Sequence, residues 1–438
     1  MTRPVDQIPQ AAGASAAPPS ARRAVLAAGL GSMLEHYDLS IYGFLAVVMA
    51  SVFFPATDQA TALLVTFATF GIAFISRPIG AIVIGEYADR AGRKKALSAS
   101  LLLMGLGSVL LAAMPTYEDV GILASIGVIV ARLIQGFSAG GEGATSPIFL
   151  AEQNPERRAF YPSLLIAFGN GTKVVSAGVG ALLATLFTEQ QMHDWAWRLP
   201  FLLGTLIIPI GLYVRSRVPE TTEFTSAQTA RKDTATRSTS STAELFRHHK
   251  MLLLAQFSVN AQGATTFYFN LFLPTYAVTV LSIPLKDAFW PSIVMGALSV
   301  FIAPYAGLLA DRIGRFRVMI VSSVAAALLH IPLYLWVLEH RTLGALVAVQ
   351  IVGSVVTTLY NGSHVGMEAD IFPTRTRATA AGLASASAKM LFGGFSLMIF
   401  QGLLTVTGDP ISPLYFVVFA ATISAMSTAL LRLNGYLR

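Results

Sequence analysis

The chain of 438 residues is 54% hydrophobic and only 12% charged, with a mean hydropathy of +0.63, a formal net charge of +7 and no cysteine. Soluble domains carry about 25% charged residues, so this composition excludes a water-borne globule and requires lipid as the solvent of most of the surface. The lack of cysteine also excludes a disulfide framework and any thiolate metal site.

In chain order, residues 1–22 are rich in Ala, Pro, Ser and Gln and are expected to form a disordered cytoplasmic N-terminus. They do not read as a cleavable leader, because the apolar run after Arg22 and Arg23 is too long for one and contains Glu35 and Asp38. Crossing about 30 Å of hydrocarbon takes roughly 20 helical residues. Twelve stretches qualify, near 24–51, 60–85, 96–114, 120–150, 160–187, 197–215, 250–281, 288–310, 317–338, 342–369, 377–406 and 411–432, numbered here as spans 1 to 12. The expected fold class is therefore an all-α membrane protein. Spans 1–6 make an N-terminal six-helix bundle over 23–216, and spans 7–12 a C-terminal one over 249–434. Residues 217–248, with the polar run Ser226-Ala-Gln-Thr-Ala-Arg-Lys-Asp233, read as a cytoplasmic linker between them.

Lysine and arginine fix the orientation. They lie at the termini or on the even-to-odd connections, except Arg198, Lys286 and Arg341 on the opposite face and Arg77, Arg132, Lys173 and Lys389 within spans. Both termini should be cytoplasmic, and the basic balance is a membrane asymmetry, with no nucleic-acid partner expected.

The two halves repeat. Gly85-Glu-Tyr-Ala-Asp89-Arg90-Ala-Gly92-Arg93 follows span 2, and Gly307-Leu-Leu-Ala-Asp311-Arg312-Ile-Gly314-Arg315 follows span 8, an offset of 222 residues between Asp89 and Asp311. Glu152-Gln-Asn-Pro155-Glu-Arg157 and Asp370-Ile-Phe-Pro373-Thr-Arg375 follow spans 4 and 10, offset by 218 between the prolines. Two repeats at nearly one period indicate duplication of a six-helix unit, the architecture by which transporters alternate access to a central site. In these loops glycine permits a tight turn, while the aspartate can receive arginine forks or cap a helix N-terminus on the neighbouring half. Asp89, Arg90, Gly92, Arg93, Asp311, Arg312, Gly314 and Arg315 are accordingly candidates for conformational gating; a solvated loop obeying the charge rule is the plainer alternative.

At these loops the chain resembles the major facilitator superfamily, whose hallmark is G-x-x-x-D-R-x-G-R-[KR]. Glu35-His-Tyr37-Asp38 with Tyr42-Gly43, Arg77-Pro78-Ile-Gly80, Arg132-Leu-Ile-Gln135-Gly136, Trp197-Arg198-Leu-Pro200-Phe201 and Pro219-Glu220-Thr221 resemble its metabolite:proton symporter branch. Thr265-Thr266-Phe267-Tyr268-Phe269, Leu273-Pro274-Thr275-Tyr276 and Tyr360-Asn361-Gly362 look most like citrate and tricarballylate proton symporters. The resemblance implies the major facilitator fold, in two pseudo-symmetric six-helix bundles. It implies a monomer in a bacterial inner (plasma) membrane, with the proton as coupling ion, no other cofactor and a small organic anion as solute. It also associates Arg132 with proton coupling. His36, Lys173 and Lys389 depart from the branch's usual pattern.

Ionisable groups at bilayer depth are costly and mark function. Glu35 and Asp38 lie three residues apart on one face of span 1, where desolvation favours the neutral form and a nearby cation the charged one. They either bind and release protons as access alternates or form a permanent pair with Arg132. Glu142, in a glycine-rich part of span 4 (Gly136, Gly140), either relays protons or pairs with a helix end. Lys173 in span 5 and Lys389 in span 11 occupy corresponding places in the two repeats. With Arg132 they suit a solute carrying more than one carboxylate. Asn170, Asn270, Asn361 and His36 are further candidates for solute contact, against the plainer reading of interhelical hydrogen bonds.

No G-x-x-x-x-G-K-[ST] phosphate loop and no nucleophile–base or metal-ligand set is present in the sequence, so neither ATP use nor an enzyme is expected. The expectation is proton-coupled uptake of a di- or tricarboxylate by alternating access. The alternatives are another solute of the branch (an osmolyte such as proline or betaine, or an aromatic acid) and a membrane sensor that binds without flux.

Overall fold

The computed structural model describes residues 29, 33, 36–91, 93–140, 157, 159–206, 208–209, 250–371 and 377–436. Among these the chain is helical with short turns and contains no strand. Lipid offers no hydrogen bonds, so a spanning backbone must satisfy its own N–H and C=O groups, as a helix does. Eight described helices are long and apolar enough to cross a bilayer: Gln59–Ile84, Ile122–Gly140, Phe160–Leu186, Leu285–Ile313, Arg315–His340, Leu343–Met367, Gly382–Thr407 and Ser412–Leu433. They are spans 2, 4, 5, 8, 9, 10, 11 and 12. Span 1 is a ninth, broken into His36–Phe44 and Ala46–Phe53 with a 72° bend. The other three positions also carry helices, Arg93–Ala113 for span 3, Arg198–Thr205 for span 6 and Lys250–Thr279 for span 7. Span 3 has only a short apolar stretch, Ser98–Ala113. Span 7 is diluted by Gln256, Asn260, Gln262, Thr265, Thr266 and Asn270, all buried. The all-helical fold expected from hydropathy is thus present, and each of the twelve expected positions carries a helix among the described residues.

The outer surface is apolar. Ile82, Leu123, Phe301, Val321 and Leu328 are each more than 60% exposed, which only a hydrocarbon solvent tolerates at this density. Interior helix contacts rely instead on small residues. A Cβ on Gly136 would overlap Ala73 O, one on Gly140 would overlap Arg77 O, and one on Gly80 would overlap Phe137 O. Spans 2 and 4 therefore cross backbone to backbone, and Ser76 Oγ donates to Leu133 O across the seam at 2.9 Å.

The halves meet along spans 5 and 8 and along spans 2 and 11. Between them runs a continuous aromatic layer. Phe67 lies 5.6 Å from Phe272, Phe70 and Phe74 lie 5.8 and 5.7 Å from Tyr268, and Phe44 lies 6.4 Å from Phe289. This layer belongs to one large buried cluster reaching Phe53, Trp197 and Tyr276 at the end of the bundle opposite the Asp311 loop.

Turns are capped by ordinary means. Asp58 precedes span 2 and accepts from Thr61 N and Thr61 Oγ1, both at 2.8 Å. Those bonds hold its carboxyl below the usual aspartate value. The cap is therefore in place at neutral pH and is lost as acid protonates the group. Gly314 takes φ +97°, a left-handed turn between spans 8 and 9 that a side chain would strain.

Candidate functional site

Span 1 carries Asp38 into the N-terminal bundle with no solvent exposure. Its Oδ2 accepts from Ser108 Oγ of span 3. Its Oδ1 faces Gly204 of span 6, where a Cβ would overlap it, and has no hydrogen-bond donor among the described residues. Arg132 of span 4 is also fully buried. It does not pair directly with Asp38. Arg132 Nη1 donates to Gln135 Oε1 at 3.0 Å, and Gln135 Nε2 donates to Ser108 Oγ at 3.1 Å. A direct Asp38–Arg132 pair is thus replaced by a relay through two neutral side chains, while the Glu35–Arg132 pair also weighed from sequence lies outside the described residues. Arg132 lies over the rings of Tyr42 (4.5 Å) and Phe70 (5.1 Å). Its Nε and Nη2 have no acceptor among the described residues. A guanidinium with two idle donors, held on aromatic faces, is ready to take a carboxylate.

Arg77 of span 2 stacks on Phe74 at 4.1 Å and lies near enough to Arg132 for the two charges to act on each other. Its Nε and Nη2 likewise lack acceptors among the described residues. Glu35 and Glu142 lie outside the described residues.

A second group forms where spans 1, 5 and 7 meet. Lys173 is 3% exposed, and its Nζ sits 4.0 Å from the centre of the Phe267 ring. No carboxylate among the described residues reaches it within 4.0 Å. His36 stands edge-on to the same Phe267 ring at 6.2 Å. Phe267 therefore gathers Lys173 and His36 from the other half. A buried ammonium set against a ring face, with no carboxylate among the described residues, is costly, and a ligand anion would relieve it.

The remaining candidates are dispersed. Asn170 donates to Ile166 O of its own helix at 3.0 Å, the ordinary interhelix-free arrangement of a buried amide. Asn270 turns toward Met295 Sδ at 2.9 Å and the small crevice shared with His330, Tyr334 and Gln350. Asn361 lies against Gly263 of span 7 and is half-buried. Lys389 is exposed, and its charge is felt by His364 of span 10, which stacks on Tyr360 at 5.8 Å. Lys389 ends the first helix of span 11, just before a π-helical turn at Met390–Gly394. The structure does not place it in the Phe267 group with Lys173.

Sequence reasoning overlooked Ser108 and Gly204, and gave Gln135 no role of its own. Gln135 could have been flagged, since it sits three residues after Arg132 on one helix face. Ser108 carried no signal, because a serine in an apolar helix usually bonds back to its own turn, as it also does here to Met104 O at 3.2 Å.

The C-terminal half repeats the node with different chemistry. Gln262 of span 7 accepts at Oε1 from Ser323 Oγ of span 9 (2.6 Å), and its backbone N–H donates to Ser424 Oγ of span 12 (3.1 Å). The N-terminal trio of Asp38, Ser108 and Gly204 lies on spans 1, 3 and 6. The offsets to Gln262, Ser323 and Ser424 are 224, 215 and 220 residues, which bracket the period of the repeated loops.

At the loop end, the Asp311 carboxylate accepts from Ala159 N and Phe160 N, both at 3.0 Å. These amides open span 5, whose own N-cap position is an alanine with no capping side chain. Arg315 stands 3.5 Å from Asp311 and donates to Gly366 O of span 10 at 3.2 Å. A helix of one half is thus capped by the other half, as the loop chemistry anticipated. Arg312 is exposed. Asp89 and Arg90 end the helix of span 2 and Arg93 begins that of span 3; their side chains, and Gly92, lie outside the described residues.

The sequence profile described as Major Facilitator Superfamily matches residues 28–397. The citrate-proton symporter of Klebsiella pneumoniae is 33% identical over 410 residues, covering 93% of this chain and 91% of that protein. A glycine betaine/proline/ectoine/pipecolic acid transporter of Dickeya dadantii is 31% identical over 414 residues, covering 93% of this chain and 82% of its own. Among solved structures, that of a D-xylose-proton symporter superposes with a TM-score of 0.71 at 18% identity, covering 93% of this chain and 97% of the other.

Proposed function

The chain belongs to the Major Facilitator Superfamily, a family of membrane transporters rather than enzymes, and from that premise we propose that it is a proton-coupled symporter taking up a small organic anion with more than one carboxylate, citrate or a relative. The observation that carries this reading is the surplus of buried cation. Arg132 and Lys173 are buried without a carboxylate partner among the described residues, and Arg77 lies near Arg132. Unpaired charge at this depth is expensive, and an anionic solute would offset the cost on binding. Lys173 is cast as one solute carboxylate's partner and Arg132 as another's, with His36 and Phe267 shaping the space beside Lys173. Asp38 is the proton carrier, since it is a fully buried carboxylate that can exist charged or neutral. The Asp311 cap, with Arg315, is the latch that closes the loop end in one state. The cell location is the bacterial inner membrane with both termini cytoplasmic, and the unit is a monomer.

The chain works by exposing this centre alternately to the two sides. Solute and proton bind at one face, the halves rock about spans 5–8 and 2–11, and both leave at the other face. Coupling requires that the loaded carrier reorient only when Asp38 is neutral, so that the buried node carries no uncompensated charge. The test is uptake of labelled citrate, tricarballylate and 2-oxoglutarate into proteoliposomes with and without an inward proton gradient. Gradient-driven accumulation of at least one of them is expected, and Asp38→Asn should abolish it while counterflow exchange survives. Accumulation that ignores the gradient would remove symport. The relatives that carry betaine and proline favour a second reading, a zwitterionic osmolyte. It would win if labelled betaine or proline were concentrated and the tricarboxylates were not.

A further inference from the structure

The geometry points to Ser108 as a two-position hydroxyl switch that reads the charge of Asp38 and, through Gln135, passes it to Arg132. This rests on the reading of Asp38 as the proton carrier and names the residues that couple it to the anion site.

Ser108 Oγ has two acceptors within reach, Asp38 Oδ2 and Met104 O. It also receives the Gln135 Nε2 hydrogen. With Asp38 ionised, the Ser108 hydroxyl donates to the carboxylate. When a hydronium ion from the open side passes its proton to Asp38 and leaves as water, two donors would otherwise confront each other. The Ser108 hydrogen then turns to Met104 O, and Ser108 Oγ accepts from both Asp38 and Gln135. Every hydrogen has an acceptor in either state, and within the protein the only covalent change is the O–H bond made or broken on Asp38.

Gln135 keeps the switch in register. Its amide oxygen is fixed by Arg132 Nη1, so its N–H must face Ser108, and Gly107 leaves room for it: a Cβ there would meet Gln135 Cγ at 2.5 Å. When Arg132 turns toward a solute carboxylate with its idle Nε and Nη2, the pull on Gln135 changes the donor that Ser108 feels. Anion binding and proton binding are thereby linked without contact between the two charged groups.

Among the described residues the surroundings contain little else that titrates; Glu35, three residues before Asp38 on span 1, lies outside them. Arg132 faces Asp38 from span 4 with Arg77 of span 2 behind it, and Tyr37 and Tyr42 flank it on span 1; spans 3 and 6 present Ser108 and Gly204. The C-terminal copy supports the assignment by contrast. There Ser323 donates to Gln262, a neutral amide that never changes charge, so its hydroxyl has one fixed direction.

The test compares Ser108→Ala, Ser108→Thr and Gln135→Leu with the parent in proteoliposomes. The readouts are the pH midpoint of uptake and the infrared carbonyl band of protonated Asp38, assigned by its loss in Asp38→Asn. Without the hydroxyl, ionised Asp38 loses its one donor among the described residues, so the proton is held more tightly. In Ser108→Ala both midpoints should rise by about one pH unit, and Ser108→Thr should restore them. Gln135→Leu should leave exchange measurable while the solute-induced change in the Asp38 band shrinks several-fold. A purely packing role would lower the rate at all pH values and leave both midpoints in place. Unmoved midpoints in Ser108→Ala, in a protein whose parent is proton-coupled and whose Asp38→Asn variant is not, would overturn the switch while sparing the symport reading. A parent with no proton coupling would overturn both.

Discussion

Lys173 and Asp38 are buried for opposite reasons. Asp38 has a donor from span 3 and a guanidinium two side chains away, whereas among the described residues Lys173 has the Phe267 face alone. A cation–π contact recovers about 2 kcal/mol when desolvated, far less than the cost of burying an ammonium. Lys173→Gln is therefore expected to express at least as stably as the parent. It should weaken uptake of a tricarboxylate roughly tenfold or more, the worth of one charge-assisted hydrogen bond. A Michaelis-constant series with Lys173→Arg as the charge-preserving control checks this; equal constants for Lys173→Gln and the parent would exclude the lysine from the site. Both residues were legible in the sequence because an ionisable group in an apolar run stands out. Their partners were not, since Ser108 is 70 residues from Asp38 and Phe267 is 94 from Lys173, and no local pattern encodes which serine or phenylalanine a fold will bring across.

At the scale of elements, the helices were read well and their breaks were not. Span 1 bends by 72° about Leu45 without a proline there, whereas Pro78, Pro274, Pro304 and Pro332 sit inside helices that continue through them. Neighbouring helices re-satisfy the freed carbonyls in a bundle, so proline loses its value as a stop signal. Glycine was the better guide. Gly136→Leu should force spans 2 and 4 apart against backbone rather than a yielding side chain. The expected loss is about 1–3 kcal/mol, seen as a lower melting temperature of the detergent-purified protein. The cap that Asp311 places on span 5 makes a softer prediction. Asp311→Ala removes about 1 kcal/mol from whichever state holds that contact, a shift of about fivefold in the conformational balance. The chain lacks cysteine, so single cysteines introduced at the loop end would report that shift directly by their rate of alkylation.

At the scale of the molecule, the duplication was legible from two loops, and its interior was hidden. The loops repeat as sequence, whereas the buried nodes repeat only as geometry: Asp38, Ser108 and Gly204 share no residue type with Gln262, Ser323 and Ser424 beyond one serine. One copy can change charge and the other cannot. On the proposed reading of Asp38 as the proton carrier, that asymmetry would set a gear ratio. One titratable node would pass one proton per turn, and the steepest solute gradient that node supports would grow with a single power of the proton gradient. Gln262→Glu would place a carboxylate under the Ser323 hydroxyl, at the C-terminal counterpart of the Asp38 junction. If that group titrates within the cycle, the steady-state accumulation at fixed pH difference should rise toward the square of the parent's value, at the expense of turnover speed. The neutral glutamine would then be the reason this carrier is geared for speed over concentration.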